Sequence, residues 1–298
     1  MKAIGKNLVA TGMLLTLGAA ISPALAVPQL EISNDTSSFE NVELTDGEIG
    51  IRVDYTHYSE VELDDDNLTY ELLYQGEAQT TVTTFAWLFA NVQLRDLDSD
   101  GVSELIVQNY SGGAHCCTNT AIHRWDGTQF TTVETGFLDG LGVSFADLDN
   151  NGQTELILAD QSFLYKFGSY IESFPPEVIL TYQAGTLVDT TYQYPDRIQA
   201  QAEAAKAAFL AVQAEHNLTS NAMLASYVAL SSQIGQMETA WQFMLDNYDP
   251  DLDWGLTIYN TSGEVVGTHA DFPTALRRFL IEQGYLDAAG QPQRANRV

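Results

Sequence analysis

A sixteen-residue window, VQLRDLDSDGVSELIV at Val92 to Val107, recurs 51 residues later as VSFADLDNNGQTELIL at Val143 to Leu158. Without a gap the two copies agree at eight positions: Val92/Val143, Asp96/Asp147, Leu97/Leu148, Asp98/Asp149, Gly101/Gly152, Glu104/Glu155, Leu105/Leu156 and Ile106/Ile157. Each copy is a short apolar run, an acidic loop with one glycine, and a second apolar run. Runs of that length and β-branched content predict strands, so the pattern is a strand–loop–strand unit written twice.

In the first loop, DLDSDGVSE, the side chains of Asp96, Asp98 and Asp100 stand at positions 1, 3 and 5. That alternation turns carboxylates inward on a curling backbone. Gly101 supplies the sharp turn, Val102 offers its carbonyl, and Glu104 closes the far side at position 9. The second loop, DLDNNGQTE, repeats this with Asp147, Asp149, Asn151, Gln153 and Glu155 in the matching places. Hard oxygen donors in a flexible ring suit Ca²⁺ better than Zn²⁺, and better than Mg²⁺ with its strict octahedron. Asn151 removes one charge, which predicts weaker binding at the second loop. An EF-hand is excluded, because it needs flanking helices and a bidentate Glu at position 12, where Val107 and Leu158 stand instead. The competing reading is an acidic turn held by side chain to backbone hydrogen bonds with no metal at all.

At these residues the chain resembles the FG-GAP/VCBS repeat family, whose blades carry a DxDxDGxxD/E calcium loop between strands. The resemblance covers about Phe89 to Tyr165, and at its widest to Tyr192, roughly a quarter to a third of the chain. It implies β-propeller-type blades, an exported protein concerned with adhesion or binding, and Asp96, Asp98, Asp100, Glu104, Asp147, Asp149, Asn151 and Glu155 as calcium ligands. A propeller needs at least four blades, and two repeats are legible in this sequence.

The flanks extend the strand reading. Glu48 to Val53, Thr69 to Tyr74 and Thr81 to Phe89 alternate, with a hairpin turn at Gln75-Gly76. The acidic run Asp64-Asp65-Asp66-Asn67 lacks a glycine and reads as a solvated turn. Ala121 to Trp125 and Gln129 to Val133 form a hairpin across Asp126-Gly127, and Ser162 to Tyr165, Val178 to Tyr182 and Leu187 to Tyr192 continue as strands. At Pro195 the period changes. Asp196 is placed to cap a helix with Ile198, Ala202, Ala205, Phe209 and Val212 on one face, and Thr219 or Ser220 a second with Met223, Tyr227, Leu230 and Ile234. Met237 to Tyr248 is a third segment. A hairpin about Asn260 to Gly263 and a helix from Asp271 to Gln283, ended by Gly284, complete the chain. The expected fold class is α+β: a mainly β region over 27–195 with FG-GAP/VCBS-like repeats, a helical region over 196–248, and a small C-terminal hairpin-plus-helix unit over 249–298.

Residues 1–26 read as a secretory signal peptide, with Lys2 and Lys6, an apolar run, and Ala24-Leu25-Ala26 before Val27. Secretion or a periplasmic location follows, with no membrane insertion after cleavage. Without that leader, forty acidic residues face ten basic ones. Nucleic acid is excluded as a partner, since phosphate binding needs Lys/Arg clusters. Such acidity favours solubility and draws cations.

Cys116 and Cys117 are the only cysteines, in Ser111-Gly-Gly-Ala-His-Cys-Cys117. Three readings stand: small buried sulfur residues after a glycine turn, a disulfide between neighbours, or a soft-metal site with His115 and His123. No nucleophile elbow, HExxH or phosphate loop occurs. The function expected is an exported calcium-binding β-repeat module for an extracellular or periplasmic protein or glycan ligand. The alternatives are an exported hydrolase of glycans or phosphoesters with structural calcium, and a carbohydrate-binding module.

Overall fold

Three antiparallel sheets follow one another along the chain in the computed structural model, which describes residues 27–62, 65–140 and 142–293. The expected signal peptide and Asp64 lie outside these residues. A short strand β1 (Gln29–Ser33) precedes the first sheet, a meander of β2 (Phe39–Asp46), β3 (Ile49–Tyr55), β4 (Leu68–Tyr74) and β5 (Glu77–Thr84) in sequential order. The second sheet runs β1, β6 (Phe89–Arg95), β7 (Glu104–Tyr110) and β8 (Cys116–Trp125), and β9 (Phe130–Glu134) and β10 (Leu138–Asp139) share the far edge of β8. The third is again sequential: β11 (Ser144–Ala146), β12 (Glu155–Ala159), β13 (Glu177–Gln183) and β14 (Thr186–Asp189). These sheets do not close into a barrel.

They stack face to face, and β7 shows how. Successive strand residues point to opposite faces, so Leu105 and Val107 join Ile51, Val53, Tyr70 and Leu72 of the first sheet in one buried cluster. Ile106 joins Ile122, Leu156, Leu180 and Tyr182 in another, against the third sheet. A strand covered on both faces reads as a continuous apolar run. Each such aliphatic side chain contributes on the order of 2 kcal/mol through burial.

The helical part has its own core. It comprises α1 (Pro195–His216), α2 (Asn221–Gln233), α3 (Met237–Asn247), a hairpin of β15 (Thr257–Tyr259) and β16 (Val265–Thr268), and α4 (Phe272–Glu282). Every residue of α2 from Asn221 to Ser232 is buried. A helix apolar or small on all sides belongs in the middle of a bundle. Two of its three serines are satisfied along the helix itself: Ser226 Oγ donates to the Ala222 carbonyl at 3.2 Å, and Ser232 Oγ to that of Ala229 at 2.6 Å. On α4 the stripe Phe272, Ala275, Leu276, Phe279 and Leu280 enters this same cluster, so the tail shares a core with α1, α2 and α3. Phe163 and Phe167, from the chain between β12 and β13, also plug into it. Arg197 Nη2 reaches Glu177 Oε1 at 3.0 Å and the Tyr285 hydroxyl reaches Asp160 at 2.8 Å, tying helices to the third sheet.

Several expectations need correction. Thr81 to Phe89 is not one strand. Asn67 is buried, not solvated, and its amide grips Ala86 through Nδ2 to the carbonyl at 2.9 Å and the N–H to Oδ1 at 2.7 Å. That clamp ends β5 at Thr84 and lets β6 start in the next sheet. Ser162 to Tyr165 is a helical turn, because the Asp160 carboxylate accepts the Ser162 N–H at 3.1 Å and bends the chain. Residues after Asp189 turn likewise, through Asp189 to the Thr191 N–H at 2.9 Å. Tyr194 occupies the N-cap of α1, and Asp196 lies inside its first turn, facing the positive helix end. Ser220 does cap α2, and Asp271 caps α4.

One buried polar pair crosses the stack. His123 on β8 meets the Tyr70 hydroxyl at 3.1 Å through Nε2 and Thr132 Oγ1 at 2.8 Å through Nδ1. Burial lowers its pKa to about 4. An imidazole kept neutral in the fold binds fewer protons than the unfolded chain between its two pKa values, so its stabilising effect is complete above about pH 6.5 and lost as pH falls toward 4. The shift corresponds to about 3 kcal/mol. We expect His123→Gln to flatten the acid limb of the unfolding free energy over this window, measured by urea denaturation at pH 4.5 to 7. An unchanged limb would count against a buried neutral imidazole.

Candidate metal centre

Both acidic loops are hairpin connections in matching register. Arg95 pairs with Glu104 across β6 and β7, and Ala146 pairs with Glu155 across β11 and β12. Position 9 of each loop is therefore the first residue of the second strand. The loops also curl alike. Ser99 and Asn150 at position 4 have φ of 59° and 60°, and Gly101 and Gly152 at position 6 have 89° and 92°. Left-handed backbone at position 4 suits Asn in particular, whereas position 6 is the sharper demand and carries glycine in both copies.

The hydrogen bonds repeat atom for atom. Asp96 accepts the N–H groups of Asp100 at 3.1 Å and Gly101 at 2.9 Å, and Asp147 those of Asn151 at 3.1 Å and Gly152 at 3.0 Å. The position 7 amide donates to position 5 in each, Val102 to Asp100 at 2.8 Å and Gln153 to Asn151 at 2.7 Å. The position 9 carboxylate turns back under the loop and accepts the N–H of position 2: Glu104 from Leu97 and Glu155 from Leu148, both at 2.8 Å. These bonds shape the turns without any ion.

They also leave a carboxylate triad in each loop. Oxygens of Asp96, Asp98 and Glu104 lie within 4.8 Å of one another, as do those of Asp147, Asp149 and Glu155. Like charges at that spacing repel by on the order of 3 kcal/mol per pair at an effective dielectric of about 20. Glu104 shows the cost. Burial first, then the charges of Asp98, Asp100 and Asp96, push its pKa up to about 8, against the opposing Leu97 N–H. Asp98 Oδ1 is buried and meets no donor at hydrogen-bonding geometry.

Of the other expected ligands, Asp100 is turned away. Its Oδ2 faces Arg124 Nη2 on β8 at 3.4 Å, so the extra carboxylate of the first loop is held by an internal cation. The charge difference between the loops is then offset, and each cluster counts three carboxylates. Asn151 also turns aside, donating Nδ2 to Asp149 Oδ2 at 3.1 Å. Val102 and Gln153 act through their backbone N–H groups, and Gln153 Nε2 additionally reaches the Tyr182 carbonyl at 3.2 Å.

Groups distant in sequence complete the surroundings. Tyr182 lies by the first triad, its hydroxyl pKa raised by burial and then by the charge of Glu104. Tyr194 lies by the second, its hydroxyl pKa raised by burial, then by the charge of Glu155 and a hydrogen bond to it, then by Asp149 and Asp147. The Ala184 N–H, in the turn between β13 and β14, donates to Asp98 Oδ2 at 3.0 Å. No spacing rule could find these residues. Only Asn150 carries a local signal, its preference for left-handed backbone.

The cysteine segment lies apart. Cys116 and Cys117 are joined in a disulfide, His115 stacks on Tyr170 with ring centroids 3.9 Å apart, and His123 is buried with Tyr70 and Thr132. The soft-metal set is not assembled. No helix among the described residues is long and apolar enough to cross a membrane.

A family described as the sll0997 C-terminal domain matches residues 198–284, which span α1 to α4 and none of the acidic loops. The probable thylakoid lumen protein sll0997 of Synechocystis sp. (strain ATCC 27184 / PCC 6803 / Kazusa) is 33% identical over 211 residues, 67% of this chain and 61% of that protein. An uncharacterized protein, y4bJ, of Sinorhizobium fredii (strain NBRC 101917 / NGR234) is 32% identical over 189 residues, 61% of this chain but 30% of that protein. The chain thus spans less than two thirds of either relative. A likeness over two thirds of this chain exceeds its helical part and reaches into the sheets. No solved structure matches. An extracytoplasmic location, expected from the leader, agrees with the lumenal relative.

Proposed function

We propose that this chain is an extracytoplasmic calcium-binding β-repeat module, in which two ions fix the hairpin corners of neighbouring sheets. The observation that carries the reading is Asp98 Oδ1, a carboxylate oxygen buried without a donor inside a triad that the second loop repeats. An unpaired buried charge is costly, and a cation satisfies it. The donors are all hard oxygens, which fits Ca²⁺. Asp96, Asp98 and Glu104 would hold one ion, and Asp147, Asp149 and Glu155 the other, with the Val102 and Gln153 carbonyls as further oxygen donors, while Asp100 and Asn151 stay turned aside on Arg124 and Asp149. On this reading the three stacked meanders are blades of the FG-GAP/VCBS type in an open arrangement. The module serves as a rigid scaffold for an extracellular or lumenal ligand.

Sites of this kind in extracellular modules bind with Kd of about 10⁻⁴ to 10⁻³ M. Tenfold excess then stabilises by about 1.4 kcal/mol per site, or a few degrees in Tm for a chain of this size. We expect 10 mM calcium to raise Tm by about 3 to 8 °C over chelated protein. Asp96→Asn with Asp147→Asn should abolish that rise in differential scanning calorimetry. A melting curve indifferent to calcium sinks the reading.

Glu104 gives a second test with opposite signs. In chelator its carboxyl, raised to about 8, binds protons in the fold that the unfolded chain has released, so metal-free stability falls as pH rises from 4.5 to 8. Glu104→Gln lacks this loss and should be the more stable protein at pH 8 without metal. With calcium the order should invert, since the wild-type charge then has its partner. Stability measured at pH 5 and pH 8, with and without chelator, checks both.

A further inference from the structure

Basic side chains are scarce in this chain, twelve Lys and Arg against forty acids, and carboxylates claim four of the arginines. Arg52 lies with Glu43 and Glu71, Arg124 with Asp100, Arg197 with Glu177, and Arg278 with Glu282. Lys206 on α1 and Arg277 on α4 form no ion pair among the described residues. Both face one open cleft of about 950 Å³, lined by α1, α3, α4 and the turn that follows α4.

Each of these cations is seated on an aromatic ring. The Arg277 guanidinium lies over Trp241, 4.9 Å from the ring centroid. It also packs against Gly290 so closely that a Cβ there would stand 2.4 Å from Nη1. Gly290 has a φ of 77°, so the position resists a side chain on two counts. Its turn is fixed by Asp287, whose carboxylate accepts the N–H groups of Ala289 at 2.9 Å and Gln291 at 2.8 Å. The Lys206 ammonium lies 4.4 Å from the Phe243 centroid and 5.4 Å from that of Tyr227. A ring face attracts a cation and leaves N–H donors for an oxygen partner. A guanidinium stacked by its face keeps its planar fork of N–H groups at the edge, and that fork matches two oxygens of a carboxylate or phosphate.

We propose that this cleft binds a small organic anion, a carboxylate or phosphate carried on an apolar body. Arg277 takes the oxyanion by its fork, Lys206 supplies the second positive charge, and Met237, Phe243 and Pro292 offer apolar wall. The volume is that of a small-molecule site. Two acids on the same cleft narrow the choice further. Asp246 accepts Gln242 Nε2 at 2.8 Å, and Glu238 lies in the first turn of α3, at its positive end. Neither touches the two cations, yet both, with the acidic surface beyond, repel a polyanion. A small anion sits close to Arg277, where contact attraction outweighs distant charges that salt screens.

The test is isothermal titration of phenyl phosphate, benzoate and uncharged benzamide into the whole calcium-free chain at low ionic strength, where the attraction is least screened. Both anions should bind at least about tenfold more tightly than benzamide, the margin of a charge-assisted hydrogen bond. Their ratio tells whether phosphate or carboxylate is the preferred group. Arg277→Gln and Lys206→Met should each erase the margin. Arg278→Gln removes the same charge from the adjoining position, already paired with Glu282, and should leave the margin intact. Far-UV circular dichroism confirms that each variant is folded, and Arg277→Lys, which keeps the charge without the fork, should recover part of the affinity. Anions that do not bind, or bind no better than benzamide, overturn the proposal. So does a preference that survives both Arg277→Gln and Lys206→Met, or that falls equally with Arg278→Gln. The calcium reading stands apart from either result, since neither acidic loop lines this cleft.

Discussion

The contact on which the site and the stacked sheets both depend is the buried carboxylate at the start of the second strand, turned back to accept the N–H of loop position 2. Glu104 is 1% exposed and Glu155 fully buried. Both are the opening residues of β7 and β12, so the same few residues set the loop, start the ladder and lead into the core. Leu105 and Ile106 follow Glu104 directly into the two clusters that separate the sheets. Leu97, whose N–H the Glu104 carboxylate accepts, buries its own side chain in the cluster against the third sheet. A change at position 9 is therefore felt on the loop, in the ladder and between the layers.

The two copies differ in how much of the fold covers them. Asp96 and Asp98 are half-buried, whereas Asp147 and Asp149 are exposed. The third sheet is the reason. Its turn at Ala184 and its Tyr182 close over the first loop, while the second loop lies on the outermost sheet and has Tyr194 beside it. Covering a charge raises its interaction with a cation and also its desolvation cost. Arg124 tempers the first effect by holding Asp100. Counting carboxylates in the sequence misses both the cover and the internal cation, and so ranks the loops on one term of three.

What was legible followed from local rules. The twin loops, the Gln75-Gly76 and Asp126-Gly127 turns, the caps at Ser220 and Asp271, and the change of period at Pro195 depend on residues a few positions apart. What was not legible depended on partners far along the chain. Asn67 reads as one more polar residue of an acidic run until Ala86, nineteen residues on, is seen against it. The stretch Ser162 to Tyr165 has strand-like composition, yet Phe163 is wanted in the helical core and Asp160 supplies the bend. The amphipathic α4 reads as part of a separate tail, because nothing local says that α2 is buried on every side and needs a fourth wall. Local propensity yields where tertiary burial is worth more.

The hydrogen bonds within the loops also bear on what an ion is for. Asp96 and Asp147 already accept the amides of positions 5 and 6, and Glu104 and Glu155 those of position 2. The backbone turn is thus satisfied before any metal arrives, and a chain that folds this way needs no cation to find its register. What the hydrogen bonds cannot remove is the mutual repulsion of three carboxylates, one of them buried, within each corner. Neutralising that repulsion is a modest and graded stabilisation, of the size that weak sites supply where free calcium is plentiful. On the calcium reading proposed above, self-sufficient acidic turns and cation sites are two parts of one arrangement: the amides set the shape, and the carboxylate oxygens they leave unbound set the demand for charge.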